Sequence, residues 1–176
     1  MPNIEINLKN IKDLEKINLD ELFVFSEAPG GYRKEFIYLD KKSLLFDIEN
    51  LTLTGKYFFN NTPSEIVPEK IVNSSDTLFI MDQAIYCFLM YYYFLKHGMS
   101  IREYNKLSDN LVCSDISMKF CKKIFKDYLN NNFTVELIKE LTNKKNRVGF
   151  EFFFEITSQS HTAKTVWFLI DEGVER

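Results

Sequence analysis

The segment QAIYCFLMYYYFL, residues 83–95, holds thirteen residues without a charge, and six of them are aromatic: Tyr86, Phe88, Tyr91, Tyr92, Tyr93 and Phe94. Laid on a helical wheel, it is apolar nearly all the way round. Such a helix has no face for water, so the rest of the chain must cover it. Asp82 and Lys96 bracket the run, and thirteen residues are too few to cross a bilayer, which takes about 20 apolar residues. The segment predicts a buried aromatic helix over about residues 82–97 and no membrane association.

One edge of this helix is wetter. At 100° per residue, Asp82, Gln83, Tyr86, Met90, Tyr93 and His97 fall within about a third of the circumference. An acid, two phenols and an imidazole on one stripe can line a pocket. Asp82, Tyr86, Tyr93 and His97 are therefore the candidate pocket residues.

The flanks carry a different period. Ile4, Ile6 and Leu8 alternate with polar residues, as in a half-buried strand. Runs at 22–27 and 32–39 flank Ala28-Pro29-Gly30-Gly31, a hairpin signal. Runs at 44–49, 51–54 and 56–59 continue the pattern, with Gly55 as a bend. After the core helix, Gly98 is a stop signal, and Ser100 with Glu103 forms a capping box that starts a helix to about Leu111. Ile116, Phe120, Ile124, Phe125, Tyr128 and Leu129 recur at helical spacing after Asp115. They predict a third helix, and Thr134 with Leu137, Ile138 and Leu141 predicts a fourth. Val148, Phe150, Phe152, Phe154 and Ile156 then alternate, and 164–171 is the return strand of a hairpin.

Strands, helices, then strands predict an α+β fold in one domain, residues 1–176. Antiparallel sheet from the N-terminal third and the C-terminal hairpin would pack on a central bundle of about four helices, one of them the aromatic helix.

Much chemistry is excluded or unsupported. The N-terminus lacks an apolar h-region, so it is no signal peptide. Cys87, Cys113 and Cys121 are odd in number and unpaired in spacing, which suits buried free thiols in a reducing cytoplasm. Only two histidines occur, and neither neighbours a cysteine pair, so no metal is expected. There is no glycine-rich phosphate loop and no nucleophile elbow, and no cofactor is implied. Lys119, Lys122, Lys123 and Lys126 form a basic stripe, but the chain is net acidic with only four arginines, so no nucleic acid is expected. Eighteen lysines and fifteen asparagines suggest an AT-rich coding sequence, such as a bacterial one.

Charge is uneven. Residues 1–75 carry net −3, residues 76–146 net +2 and residues 147–176 net −2. An acidic sheet surface suits a basic protein partner. Asp40, Asp47, Glu49, Glu151 and Glu155 are the candidate contacts, because strand alternation exposes them. In size, mild acidity and lack of a catalytic motif, the chain is similar to bacterial immunity proteins. That likeness implies a cytoplasmic, non-enzymatic inhibitor that covers the active site of a toxin, for example a nuclease. The alternative is a small-ligand-binding or enzymatic domain with its pocket at the edge of the 82–97 helix.

Overall fold

A computed structural model describes residues 38–58, 72–124, 131–142, 147–157 and 159–170. Six strands and two helices are formed there: β1 (Leu39–Asp47), β2 (Thr52–Tyr57), α1 (Ser74–His97), α2 (Ile101–Ser108), β3 (Leu111–Phe120), β4 (Asn132–Thr142), β5 (Val148–Ile156) and β6 (His161–Leu169). The strands make one antiparallel sheet in the order β1-β2-β4-β5-β6-β3.

The aromatic helix is longer than its uncharged run. Its N-cap is Asn73, whose side chain accepts from Asp76 N at 2.9 Å while Asp76 Oδ2 accepts from Asn73 N at 3.1 Å. This capping box satisfies two of the orphan amides of the first turn and contributes about 1 kcal/mol. The helix ends at Gly98 (φ 67°), whose amide donates to Phe94 O at 2.8 Å. The left-handed conformation there favours glycine.

The sheet wraps α1. Ile80, Ala84, Ile85, Cys87, Phe88, Leu89 and Met90 are fully covered. The inner face opposes them with Leu53, Phe133, Val135, Phe150, Phe152, Phe154 and Ile156. Phe88 meets Phe152 edge-on at 5.2 Å and Phe46 at 5.1 Å, and Tyr92 meets Phe150 at 5.9 Å. Each such pair contributes about 0.5–1.5 kcal/mol beyond the area it buries. By length and composition α1 could cross a membrane, but 67% of its most apolar window is buried inside the protein. It is packed as a core helix among the described residues.

The expected bundle of about four helices is corrected. The segment from Asp115 is strand β3 up to Phe120, and the segment from Thr134 is strand β4. Positions i and i+4, such as Ile116 and Phe120, share a face at either period. Bulges also change which residues face inward. One between Cys113 and Asp115 puts Cys113 opposite Trp167 and Ile116 opposite Thr165, so residues three apart both face inward. Another between Leu137 and Lys139 sets Leu137 opposite Phe152 and Glu140 opposite Phe150. One extra residue in a strand lets residues three apart share a face. The C-terminal hairpin forms as expected, with its return strand at His161–Leu169. The capping box of Ser100 and Glu103 is also present, although α2 ends at Ser108. The strands expected at 4–8 and 22–27 lie outside the described residues, as does the strand expected at 32–39 up to residue 37.

The N-terminus of α1 is also tied to the sheet. Buried Thr77 donates its hydroxyl to Asn73 O at 3.0 Å and so accepts from His161 Nδ1 at 2.8 Å. Burial lowers the His161 pKa, which keeps the ring neutral.

Two glycines let rings close over strands. Gly55 is not a bend: it lies within β2, where an added Cβ would meet Leu44 Cδ2 at 2.7 Å and the Phe133 ring at 2.8 Å. Gly149 on β5 pairs with Phe168 on β6, and the Phe168 ring occupies the place of its absent Cβ, 2.4 Å away. Gly149→Ala should therefore cost about 1–3 kcal/mol through overpacking. Urea denaturation checks this, and the same substitution should cost less in a Phe168→Ala background.

Candidate functional site

The inner face of the sheet is not filled evenly. On α1, Ser75, Leu78, Phe79 and Asp82 recur at helical spacing and share one face. Opposite stand Cys113 and Ile116 of β3 and Trp167 of β6. With Met81 these residues line a pocket of about 380 Å³. The volume is within the range of small-molecule sites, roughly 300–1,000 Å³. Its walls are almost wholly apolar.

The β3 bulge shapes this pocket. It turns both Cys113 and Ile116 inward and leaves the Asp115 carbonyl to be satisfied locally. The Thr165 hydroxyl donates to that carbonyl at 3.1 Å, and Cys113 Sγ lies 3.2 Å from Thr165 Oγ1. Burial raises the Cys113 pKa, with the charges of Asp82 and Asp115 acting the same way, so the thiol stays protonated.

Asp82 is the one ionisable oxygen acid in the lining. Burial pushes its carboxyl up to about 6. No protein group among the described residues hydrogen-bonds it. An unpaired carboxyl in apolar surroundings resists ionisation, and a pKa near neutrality is what a general acid or base needs.

The other expected pocket residues are elsewhere. Helix α2 covers the stripe that looked wet in projection. Tyr86 donates to Asn105 Oδ1 at 2.9 Å and shares a hydrogen bond with Ser108 Oγ at 3.0 Å, both on α2. Tyr93 is buried between Tyr104 and Phe150 and stacks on His97 at 5.6 Å. His97 is exposed, and its pKa is lowered by partial burial and then by Lys96. Only Asp82 of the four reaches the pocket.

A second polar cluster sits at the C-terminal end of α1. The β4 bulge brings Glu140 to the inner face, where the Tyr92 hydroxyl donates to it. Lys96 Nζ reaches Tyr92 OH at 2.9 Å and the two Glu140 oxygens at 3.1 and 3.2 Å. These groups satisfy one another. Among the described residues, no group of three or more histidine, cysteine or acidic side chains could hold a metal ion.

The acidic contact candidates do not form one patch with free charges. Asp47 closes the β1–β2 turn, accepting from Glu49 N, Asn50 N and Asn50 Nδ2 at 2.7–3.1 Å. Glu49 lies in that turn, and Asp40 accepts from Lys42 N at 3.1 Å. Glu151 and Glu155 are on the outer face of β5, where Glu151 pairs with Lys139 at 3.0 Å. Of the expected basic helix stripe, Lys119 lies on strand β3, Lys122 and Lys123 follow it outside any helix, and Lys126 lies outside the described residues. All three cysteines are free, but only Cys87 is buried; Cys113 is half-buried and Cys121 exposed.

The missed lining residues divide in two. Leu78 and Phe79 carry a legible signal, because extending the helical period back from Asp82 to Ser75 puts them on its face. Cys113, Ile116 and Trp167 carry none before the sheet is known. If Asp82 is destabilising because it is buried unpaired, its removal should stabilise the protein. The folded carboxyl holds its proton up to about 6, against 3.8 ordinarily, so stability is lost as pH rises between these values. Asp82→Asn should therefore gain about 1–3 kcal/mol at pH 8 and little at pH 4, as read by urea denaturation at the two pH values.

No protein-family model matches the sequence, and no curated protein matches it. Solved structures do match the fold. An HP0420 homologue from Helicobacter felis, in a form with one cysteine replaced by alanine, covers 94% of this chain and 95% of its own at 8% identity, with a TM-score of 0.51. A second structure of an HP0420 homologue from that organism covers 96% and 100% at 9% identity, with a TM-score of 0.50. A thioesterase from Thermus thermophilus, determined with coenzyme A and zinc, covers 73% and 85% at 11% identity, with a TM-score of 0.47. The expectation of a non-enzymatic toxin inhibitor is corrected: the described residues form one long helix wrapped by an antiparallel sheet with an apolar pocket against that helix, and the acidic contact candidates are dispersed. A pocket borders α1, as the alternative expected, although of the residues named for it only Asp82 lines it. The architecture is hotdog-like: one long helix wrapped by a six-stranded antiparallel sheet.

Proposed function

We propose that this protein is a small acyl hydrolase, acting on an ester or thioester whose apolar acyl group enters the pocket between α1, β3 and β6. The observation that carries this reading is Asp82, an unpaired carboxyl in an otherwise apolar pocket, with its pKa pushed up to about 6. Leu78, Phe79, Ile116 and Trp167 would hold the acyl group by burying its surface. Asp82, ionised above pH 6, would take a proton from the attacking water as that water adds to the carbonyl carbon. It would then return the proton to the departing alkoxide or thiolate. Cys113, a neutral thiol already near Thr165, is not needed as a nucleophile. The three free cysteines suit a reducing cytoplasm, where we place the protein.

A panel of short, medium and aryl acyl thioesters tests this, with thiol release as the readout. Wild type should hydrolyse at least one of them, with a rate that rises through about pH 6 and then levels. Asp82→Asn should lower kcat by about a hundredfold or more while remaining folded. Equal rates for Asp82→Asn and wild type would remove Asp82 from the mechanism.

A further inference from the structure

We propose that the same pocket binds a free carboxylic acid with an apolar tail, seated as a proton-sharing pair with Asp82, and releases it as the carboxylate once the shared proton is lost. This rests on the acyl-hydrolase reading, in which such an acid is the product.

The pocket offers a carboxylate no cation; beyond Asp82 its polar groups are the neutral Ser75 hydroxyl, the Cys113 thiol and the Trp167 Nε1, which has no hydrogen-bond partner among the described residues. Ser75, Leu78, Phe79, Met81, Asp82, Cys113, Ile116 and Trp167 include no lysine, arginine or histidine. A second ionised carboxylate beside Asp82 would face repulsion in apolar surroundings with no cation to offset it. One proton held between the two acids removes that repulsion and gives Asp82 the hydrogen bond it lacks. A hydrogen bond between an acid and a carboxylate is short and strong.

The groups around Asp82 do not change this balance. On α1, Tyr86 and Cys87 are held neutral by burial. Asp76 is engaged in the helix cap with Asn73. On α2, Tyr104 is raised by burial and by the charges of neighbours that include Asp82, so it too is neutral. Asp109 at the end of α2 and Asp115 on β3 are exposed acids that act on Tyr86 and Cys113 respectively. They can only add to the repulsion. On β6, the His161 ring is bonded to Thr77 and lies outside the lining. Loss of the shared proton therefore leaves two anions in the same apolar space, and the mobile one departs.

Isothermal titration calorimetry with hexanoic acid and 1-hexanol at pH 5.5 and 7.5 tests the proposal on the full chain. The alcohol has a similar tail but no charge; it can donate to the ionised Asp82 and can also accept from the protonated acid. Hexanoic acid should bind about tenfold or more tightly at pH 5.5 than at pH 7.5; in buffers of different ionisation enthalpy, proton uptake on binding should be small at pH 5.5, where Asp82 already holds the shared proton, and approach about one at pH 7.5. Hexanol should change by less than about threefold. Asp82→Asn should weaken hexanoic acid at pH 5.5 by about tenfold and leave hexanol nearly unchanged. If hexanol binds but the acid shows no pH gap, or binds Asp82→Asn equally well, proton sharing is wrong and the hydrolase reading stands. If neither ligand binds, the pocket itself is not a ligand site, and both readings fall.

Discussion

A helix that is apolar on every side has to be enclosed, and here the chain encloses it with a sheet. Fifteen residues of α1 are buried, including Phe88, Tyr91, Tyr92 and Tyr93. A second helix can cover only one stripe of a cylinder. A wrapped sheet covers most of it, and α2 closes part of what is left through Tyr104. The rest of the structure depends on that enclosure. The inner face of every central strand is chosen by the need to meet α1, which explains the run Phe150, Phe152, Phe154 and Ile156 on β5.

Among the described residues the enclosure is incomplete on one side, and that is where the candidate site lies. Strand β3 is at the edge of the sheet, and Val112, Ile116 and Phe120 on it remain exposed. The bulge beside Cys113 changes which residues face the helix and opens space under the first turns of α1. Asp82 faces that space. A carboxyl at this place weakens the folded state when ionised, because nothing among the described residues offsets its burial. Retaining an unfavourable charge in a pocket is the pattern of a functional group rather than a structural one.

The two bulges show how a small backbone change separates structure from chemistry. The bulge in β4 brings Glu140 inward, but Tyr92 and Lys96 meet it, so that acid is spent on packing the far end of the helix. The bulge in β3 brings inward a thiol and an isoleucine, and leaves the nearby acid without a partner. The same device gives a closed network at one end of α1 and an open pocket at the other.

The sequence by itself determined the buried aromatic helix, the glycine that stops it, the capping box at Ser100 and the C-terminal hairpin. These are local signals, set by helical or alternating period and by cap chemistry. It also marked Asp82 as an acid on the core helix. It misassigned β3 and β4, because apolar residues four apart, such as Ile116 and Phe120 or Leu137 and Leu141, recur at a spacing that strand and helix share. Only the tertiary structure decided which edge of α1 stays open. Tyr86, Tyr93 and His97 share a stripe with Asp82 on a wheel, but α2 covers Tyr86 and Tyr93. The partners of Asp82 in the pocket come from strands 31 to 85 residues away in the chain, Cys113 and Trp167 being brought together by pairing between β3 and β6. No period within one segment carries that information, because it is set by which strands lie side by side.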